Sequence, residues 1–368
     1  MLSSNLLLGV ALGYVFVLFV VAFLSDRRAD TGRARWLHSP LVYTLAISIY
    51  CTSWTFYGAV GSAARSGLEF ATIYLGPTLV FVGWWWVLRK LVRIGRVHRI
   101  TSIADLISSR YGKSETLAVI VTLIAVVATT PYIALQLQSI TASFEAMSGV
   151  QHETRTAFWV ACGLAAFTIL FGTRTINANE RHHGVVAAIA LEAVVKLVAL
   201  IAVGIFAVWG VAGGVGAVFD RMPEAMMRTE EVFDARWITL TFLAGVAVLC
   251  LPRQFHVTVV ENTDERHLVT ASWMFPLYMF LMSLFVIPIA IAGLSTLPPG
   301  SNPDLYVINL PLAFDQAELA LLAFIGGFSS ATSMVIVATI ALSTLVSNHV
   351  VAPLALRSLM AGRAASGD

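Results

Sequence analysis

Apolar runs of membrane-spanning length recur along this chain from residue 4 to residue 346, separated by short polar gaps, and no soluble stretch of domain size interrupts them. A bilayer's hydrocarbon core takes about 20 residues of helix at about 1.5 Å per residue. On that measure the pattern predicts nine spans, at 4–24, 40–63, 71–92, 116–145, 156–172, 184–210, 236–254, 269–294 and 317–346, with the fifth and seventh at the short end. The expected fold class is an all-α polytopic membrane protein, one membrane domain over residues 1–368. The first run has no basic stretch ahead of it and no small-residue cleavage site, so it reads as a retained span.

The gaps also carry pattern. Ser102-Ile103-Ala104-Asp105 has the form of a capping box, and Ile103, Leu106, Ile107 and Tyr111 then line one face of a short amphipathic helix at the membrane interface. The segment 295–316, with Pro298, Pro299, Pro303 and Pro311, cannot hold a long helix and reads as an outer loop. The run Trp84-Trp85-Trp86, just before Arg89 and Lys90, reads as an interfacial anchor.

Composition agrees with the pattern: 58% of residues are hydrophobic and 12% charged, against roughly 25% charged in soluble chains. Lysines and arginines gather in the connections after spans one, three, five and seven and in the tail, among them Arg27, Arg89, Arg93, Arg253, Arg266 and Arg357. That bias predicts an N-terminus outside and a C-terminus in the cytoplasm. The net charge of +2 is spread between spans and forms no basic face, so the bilayer is the expected partner and nucleic acid is not. Cys51, Cys162 and Cys250 all fall within spans without metal-ligand spacing and read as free, buried thiols. No hydrolase, redox or phosphate-loop constellation is present, so no enzyme and no catalytic residue is expected.

Several spans break the rules of an apolar helix. Span two packs Ser48, Thr52, Ser53, Trp54 and Thr55 into its centre. Two readings are open there: the helix unwinds and frees carbonyls for a cation and helix ends for a solute, or its hydroxyls bond back to their own turns. Span nine carries Gly326-Gly327-Phe328-Ser329-Ser330, which offers the oxygen ligands a hard cation takes. Span four holds Pro131, Gln136 and Gln138, the glutamines facing either a cavity or a neighbouring helix. Glu192 and Lys196, four residues apart in span six, share one helical face, as a functional pair or as a mutual clasp.

The string Arg99-Ile100-Thr101-Ser102-Ile103-Ala104-Asp105-Leu106, the polar centre of span two and the Gly326 to Met334 segment resemble the sodium/solute symporter family. Cys51 to Gly58 and Leu251-Pro252-Arg253-Gln254-Phe255-His256-Val257 look like the symporter-type input module of bacterial sensor histidine kinases. The resemblance implies a leucine-transporter-type inverted-repeat helix bundle in a bacterial inner membrane. Spans two to six would form repeat one, and spans seven to nine what is present of repeat two, so the bundle is expected to be truncated there.

By the same resemblance, a cation site falls on Ser48, Cys51, Gly326, Ser329 and Ser330, a solute site on Ser53, Trp54 and Thr55, and Glu180 on the inner cation path; Gln136, if it faces a cavity, is a further candidate for the solute site. Tyr50 stands where proline carriers place an aspartate, and Val246 and Leu249 where sugar carriers place polar contacts. Sodium or a proton is therefore the implied coupling ion, and a sugar is not the implied solute. The expected function is cation-coupled uptake of a small organic solute such as an amino acid. The alternative is a solute-sensing input module whose kinase lies in a downstream module or partner chain.

Overall fold

The structure, a computed structural model, describes residues 2–30, 35–149, 183–223 and 232–358, with Met226 and a few isolated positions between 158 and 169. Every regular element among them is helical. The expected span 156–172 and Glu180 lie largely or wholly outside the described residues.

Helix α1 (Ser4–Asp30) turns Leu12 and Phe16 outward and ends on Arg27 and Arg28. Span two is not one helix. Ser39 caps α2 (Pro40–Ile47), accepting from the Val42 N–H at 3.3 Å, and proline supplies the first turn. The chain tightens over Ser48–Tyr50, becomes extended at Cys51, and resumes as a widened turn, Trp54–Gly58, leading into α3 (Ala59–Ser66).

Span three is likewise segmented, with α4 (Thr72–Val82) separated by a turn from α5 (Leu88–His98). Trp85 and Trp86 are exposed on that turn, as an interfacial anchor requires. The expected cap forms in part: the Ser102 hydroxyl accepts from the Asp105 N–H at 3.1 Å and starts α6 (Ile103–Arg110), while the Asp105 carboxylate takes the N–H of Thr101, one residue before the cap, at 3.0 Å. Ile103 is buried, but Tyr111 is exposed and lies off the face expected for it, because the helix ends at Arg110.

The remaining helices are α7 (Glu115–Ser148), α8 (His183–Ile205), α9 (Val215–Asp220), α10 (Ala235–Cys250), α11 (Pro252–Phe255), α12 (His267–Ser283), α13 (Val286–Thr296), α14 (Tyr306–Ala313) and α15 (Ala317–Val346). Five described helical stretches are long and apolar enough to cross a bilayer, beginning at Ser4, Glu115, His183, His267 and Ala317. A sixth candidate is the pair α10 and α11, bent by 54° at Leu251. Residues 295–316 hold no long helix, as the prolines dictate, yet α14 packs onto α15.

Helix α15 is the most buried, lying against α7 and α8; α10 lies along α4, and α12 along α2 and α4. The outward faces carry Leu123, Val127, Phe242, Trp273 and Phe280, an apolar surface of the kind that lipid covers. Cys162 and Cys250 sit on that exposed side rather than in the core, so of the three free thiols only Cys51 is buried. Where α12 begins, hydrogen bonds from Arg93 and Arg89 hold the Glu265 carboxyl below the usual carboxylate range.

Close packing of α15 on the second half of span two depends on Gly327, where any Cβ would overlap the Tyr57 hydroxyl. Gly327→Val should therefore lower stability by about 1–3 kcal/mol, read as a lower melting temperature in detergent. Gly9→Ala, at a position with nothing within 4 Å, should leave it unchanged.

Candidate functional site

A helix break inside a membrane exposes N–H and C=O groups that neither lipid nor the helix can satisfy. In span two, three side chains from three other helices meet that demand. The Gln136 side-chain carbonyl, on α7, accepts from the Ser53 N–H at 3.1 Å and from the Ser53 hydroxyl at 2.7 Å. The Lys196 Nζ, on α8, donates to the Cys51 carbonyl at 2.7 Å and the Ser48 carbonyl at 3.2 Å. The Gln254 amide, on α11, donates to the Ile47 carbonyl at 3.2 Å. Local bonds finish the join: Thr55 donates to the Thr52 carbonyl at 2.7 Å, and Tyr74 to the Thr55 carbonyl at 2.9 Å. Of the two readings open from sequence, unwinding is what the structure shows.

A second break faces the first. Leu251 is extended and Pro252 opens a new helix, so the chain turns within what reads as one apolar span. This places Arg253 in the bundle interior at 4% exposure, its guanidinium carbon 4.9 Å from the centre of the Tyr132 ring. Its Nε is buried without a hydrogen-bond partner, and no acidic group lies within 4.0 Å of it among the described residues. Arg253 is thus not the loop residue that the charge count takes it for.

Between the two breaks lies a cavity of about 460 Å³, lined by Tyr50, Thr52, Trp54 and Thr55 on one side and by Leu251 and Arg253 on the other. Helix α10 adds a wholly apolar wall through Leu240, Leu243, Ala244 and Ala247. The cavity's other charged residue, Glu69, is engaged by Arg236 at 2.7 Å. A smaller cavity of about 280 Å³, lined by Ser53, Gln136 and Asp304, shares Trp54 and Tyr132 with the first.

The polar cluster continues behind the break. Glu192 does not clasp Lys196: no salt bridge joins them within 4.0 Å among the described residues. The Glu192 carboxylate instead accepts from the Thr332 hydroxyl at 2.6 Å, with its second oxygen buried and unpartnered. Ser329 donates to the Glu192 backbone carbonyl at 3.0 Å and accepts from the Tyr14 hydroxyl at 2.9 Å, while Ser330 donates to the Gly326 carbonyl at 2.9 Å.

All five expected cation-site residues are therefore buried in one neighbourhood around α8. Of the expected solute residues, Trp54 and Thr55 line the larger cavity, while Ser53 and Gln136 are spent on each other beside the smaller one. Tyr50 lines the larger cavity too and donates to the Ile73 carbonyl at 3.0 Å. Sequence reading did not select Arg253, Gln254 or Tyr132; the available signal was Leu251-Pro252 followed by two polar residues near the end of an apolar run.

Two discontinuous helices meeting across a polar interior define a leucine-transporter-type transporter bundle. The chain belongs to the sodium:solute symporter family, whose family model matches residues 39–352. Among curated proteins it is similar to the uncharacterized symporter YhjB of Bacillus subtilis (strain 168), 23% identical over 325 residues that cover 83% of this chain and 64% of that protein. It is also similar to the uncharacterized symporter YodF of the same organism, 28% identical over 135 residues, 34% of this chain and 27% of that one. The chain thus spans less than two-thirds of the length of either relative. A solved structure of a Na+-coupled sialic acid symporter, substrate-bound and outward-open, shares the fold with a TM-score of 0.66 at 14% identity, over 94% of this chain and 74% of that one.

Gln136→Leu removes the acceptor of the Ser53 pair and should cost about 1–3 kcal/mol, measured by thermal unfolding in detergent. Gln138→Leu, two residues away and exposed, should change stability little.

Proposed function

We propose that this chain is the solute-binding membrane domain of a symporter, and that its solute is a small organic molecule bearing a carboxylate, an amino acid being the simplest case. The observation that carries this reading is Arg253. A guanidinium buried in a cavity of about 460 Å³ without an acidic partner among the described residues is costly unless an anionic group joins it, and the volume suits a small solute. Tyr132, Thr52 and Thr55 supply a ring and hydroxyls beside that charge, while the apolar wall of α10 would take the solute's aliphatic part.

In this reading the chain crosses the bacterial inner membrane nine times with its N-terminus outside, an orientation that the basic residues of α5 support without Arg253. Uptake is coupled to a cation, as family membership supports. The second reading is a solute-sensing input module that works with a kinase elsewhere. One observation favours it: an ammonium already fills the carbonyls at the break, and a sensor needs no ion gradient.

Calorimetric titration of the purified chain with proline, histidine and their carboxamides tests the solute class. The free acids should bind more tightly than the amides, and Arg253→Ala should weaken the acids by about 10–100-fold while leaving the amides nearly unchanged. Equal affinity of the unaltered chain for acid and amide would remove the assignment. Gradient-driven uptake in vesicles separates carrier from sensor.

A further inference from the structure

An oxygen-rich cluster of the described interior lies where α2 ends, α8 passes and α15 crosses it. Carbonyls of Ser48 and Cys51 point into it from the break, hydroxyls of Ser329, Ser330 and Thr332 border it, and the carboxylate of Glu192 stands one helical turn before Lys196. Carbonyl and hydroxyl oxygens are what a monovalent metal ion would take. The two break carbonyls are already taken. The Lys196 Nζ holds both, and Lys196 itself is fully buried, 0% exposed.

We propose that Lys196 is a tethered cation: its ammonium occupies the site that a free sodium ion would fill, so the bundle closes around the break without sodium. Three features carry this. The nitrogen lies 2.7 and 3.2 Å from the two carbonyl oxygens, so an ion at those oxygens would sit against it, and two positive charges that close repel strongly in a membrane interior. Lys196 already sets one positive charge beside Glu192, and the buried Arg253 adds a second close enough to act on it, so an added sodium ion would bury still more positive charge. Lys196 also comes from mid-helix, about 20 Å along α8 from His183, where no water-exposed loop can compete for it.

This deepens the reading above by removing sodium from the break and leaving the proton as the coupling ion, and its test uses no solute, so failure to find a carboxylate ligand leaves it untouched. The full chain, purified in detergent, is melted in sodium chloride, potassium chloride and choline chloride at equal ionic strength. The unaltered protein should show no sodium-specific shift. Lys196→Ala frees two carbonyls and the volume of a side chain next to the Glu192 carboxylate; it should melt lower in choline chloride and regain several degrees in a saturable, sodium-dependent manner. Ser329→Ala added to Lys196→Ala should weaken that recovery. A saturable sodium-specific rise in the unaltered protein would overturn the proposal, as would a folded Lys196→Ala protein indifferent to sodium. If Lys196→Ala does not fold, the tryptophan fluorescence of the unaltered protein under sodium titration decides: a flat response supports the tethered cation, and a saturable sodium-specific change overturns it.

Discussion

A helix interrupted in mid-membrane must find partners for backbone groups that the surrounding lipid cannot hydrate, and much of this bundle's interior is organised to provide them. Gln136, Lys196 and Gln254 reach the span-two break from α7, α8 and α11, and each satisfies different atoms: an N–H with its own hydroxyl, a pair of carbonyls, and one further carbonyl. Removing the break would leave these three polar side chains buried without purpose. Removing any of them would leave the break unsatisfied. The interior is therefore a set of mutual obligations among helices far apart in sequence, which fixes how α7, α8 and α11 stand around α2.

Two buried cations among the described residues, Lys196 and Arg253, are treated in opposite ways. Lys196, a compact ammonium, points at peptide carbonyls and is held by bonds the protein makes to itself. Arg253, a planar guanidinium, lies by an aromatic ring and faces open volume. One is closed off and structural in character; the other is presented. That contrast separates the ion-like role from the solute-facing role within one small region, with Tyr50 and Trp54 of the broken helix on the cavity side.

Much of this was legible in the sequence. The crowded hydroxyls at the centre of span two made a break one of two readings, and the family resemblance set Gly326, Ser329 and Ser330 beside it. The second break escaped because the apolar run at 236–254 continues past Leu251, and hydropathy does not register that Pro252 ends one helix by starting another. Arg253 was misplaced for a related reason: charge counting assigns to a loop any basic residue near the end of a run, and only the bend at Leu251 turns it inward. The Glu192 and Lys196 spacing correctly put both on one face, but spacing cannot decide among competing acceptors. Break carbonyls drew the lysine away, and Thr332 claimed the carboxylate.

Helix α15 joins this region to the periphery. Its continuation, Ser347–Val351, brings Asn348 to the Thr101 hydroxyl at 3.3 Å and His349 to the Ser102 hydroxyl at 3.2 Å, where the cap of α6 is built. From Ser329 to His349 is about 30 Å of helix, stiffened along its buried half. A rod pinned at its middle behaves as a lever: tilting it by about 5° at Ser329 displaces the far tip by about 2.5 Å over that length. A shift of that size exceeds the tolerance of a hydrogen bond, so the cap of α6 is a mechanical gauge of how tightly the centre of the bundle is drawn together.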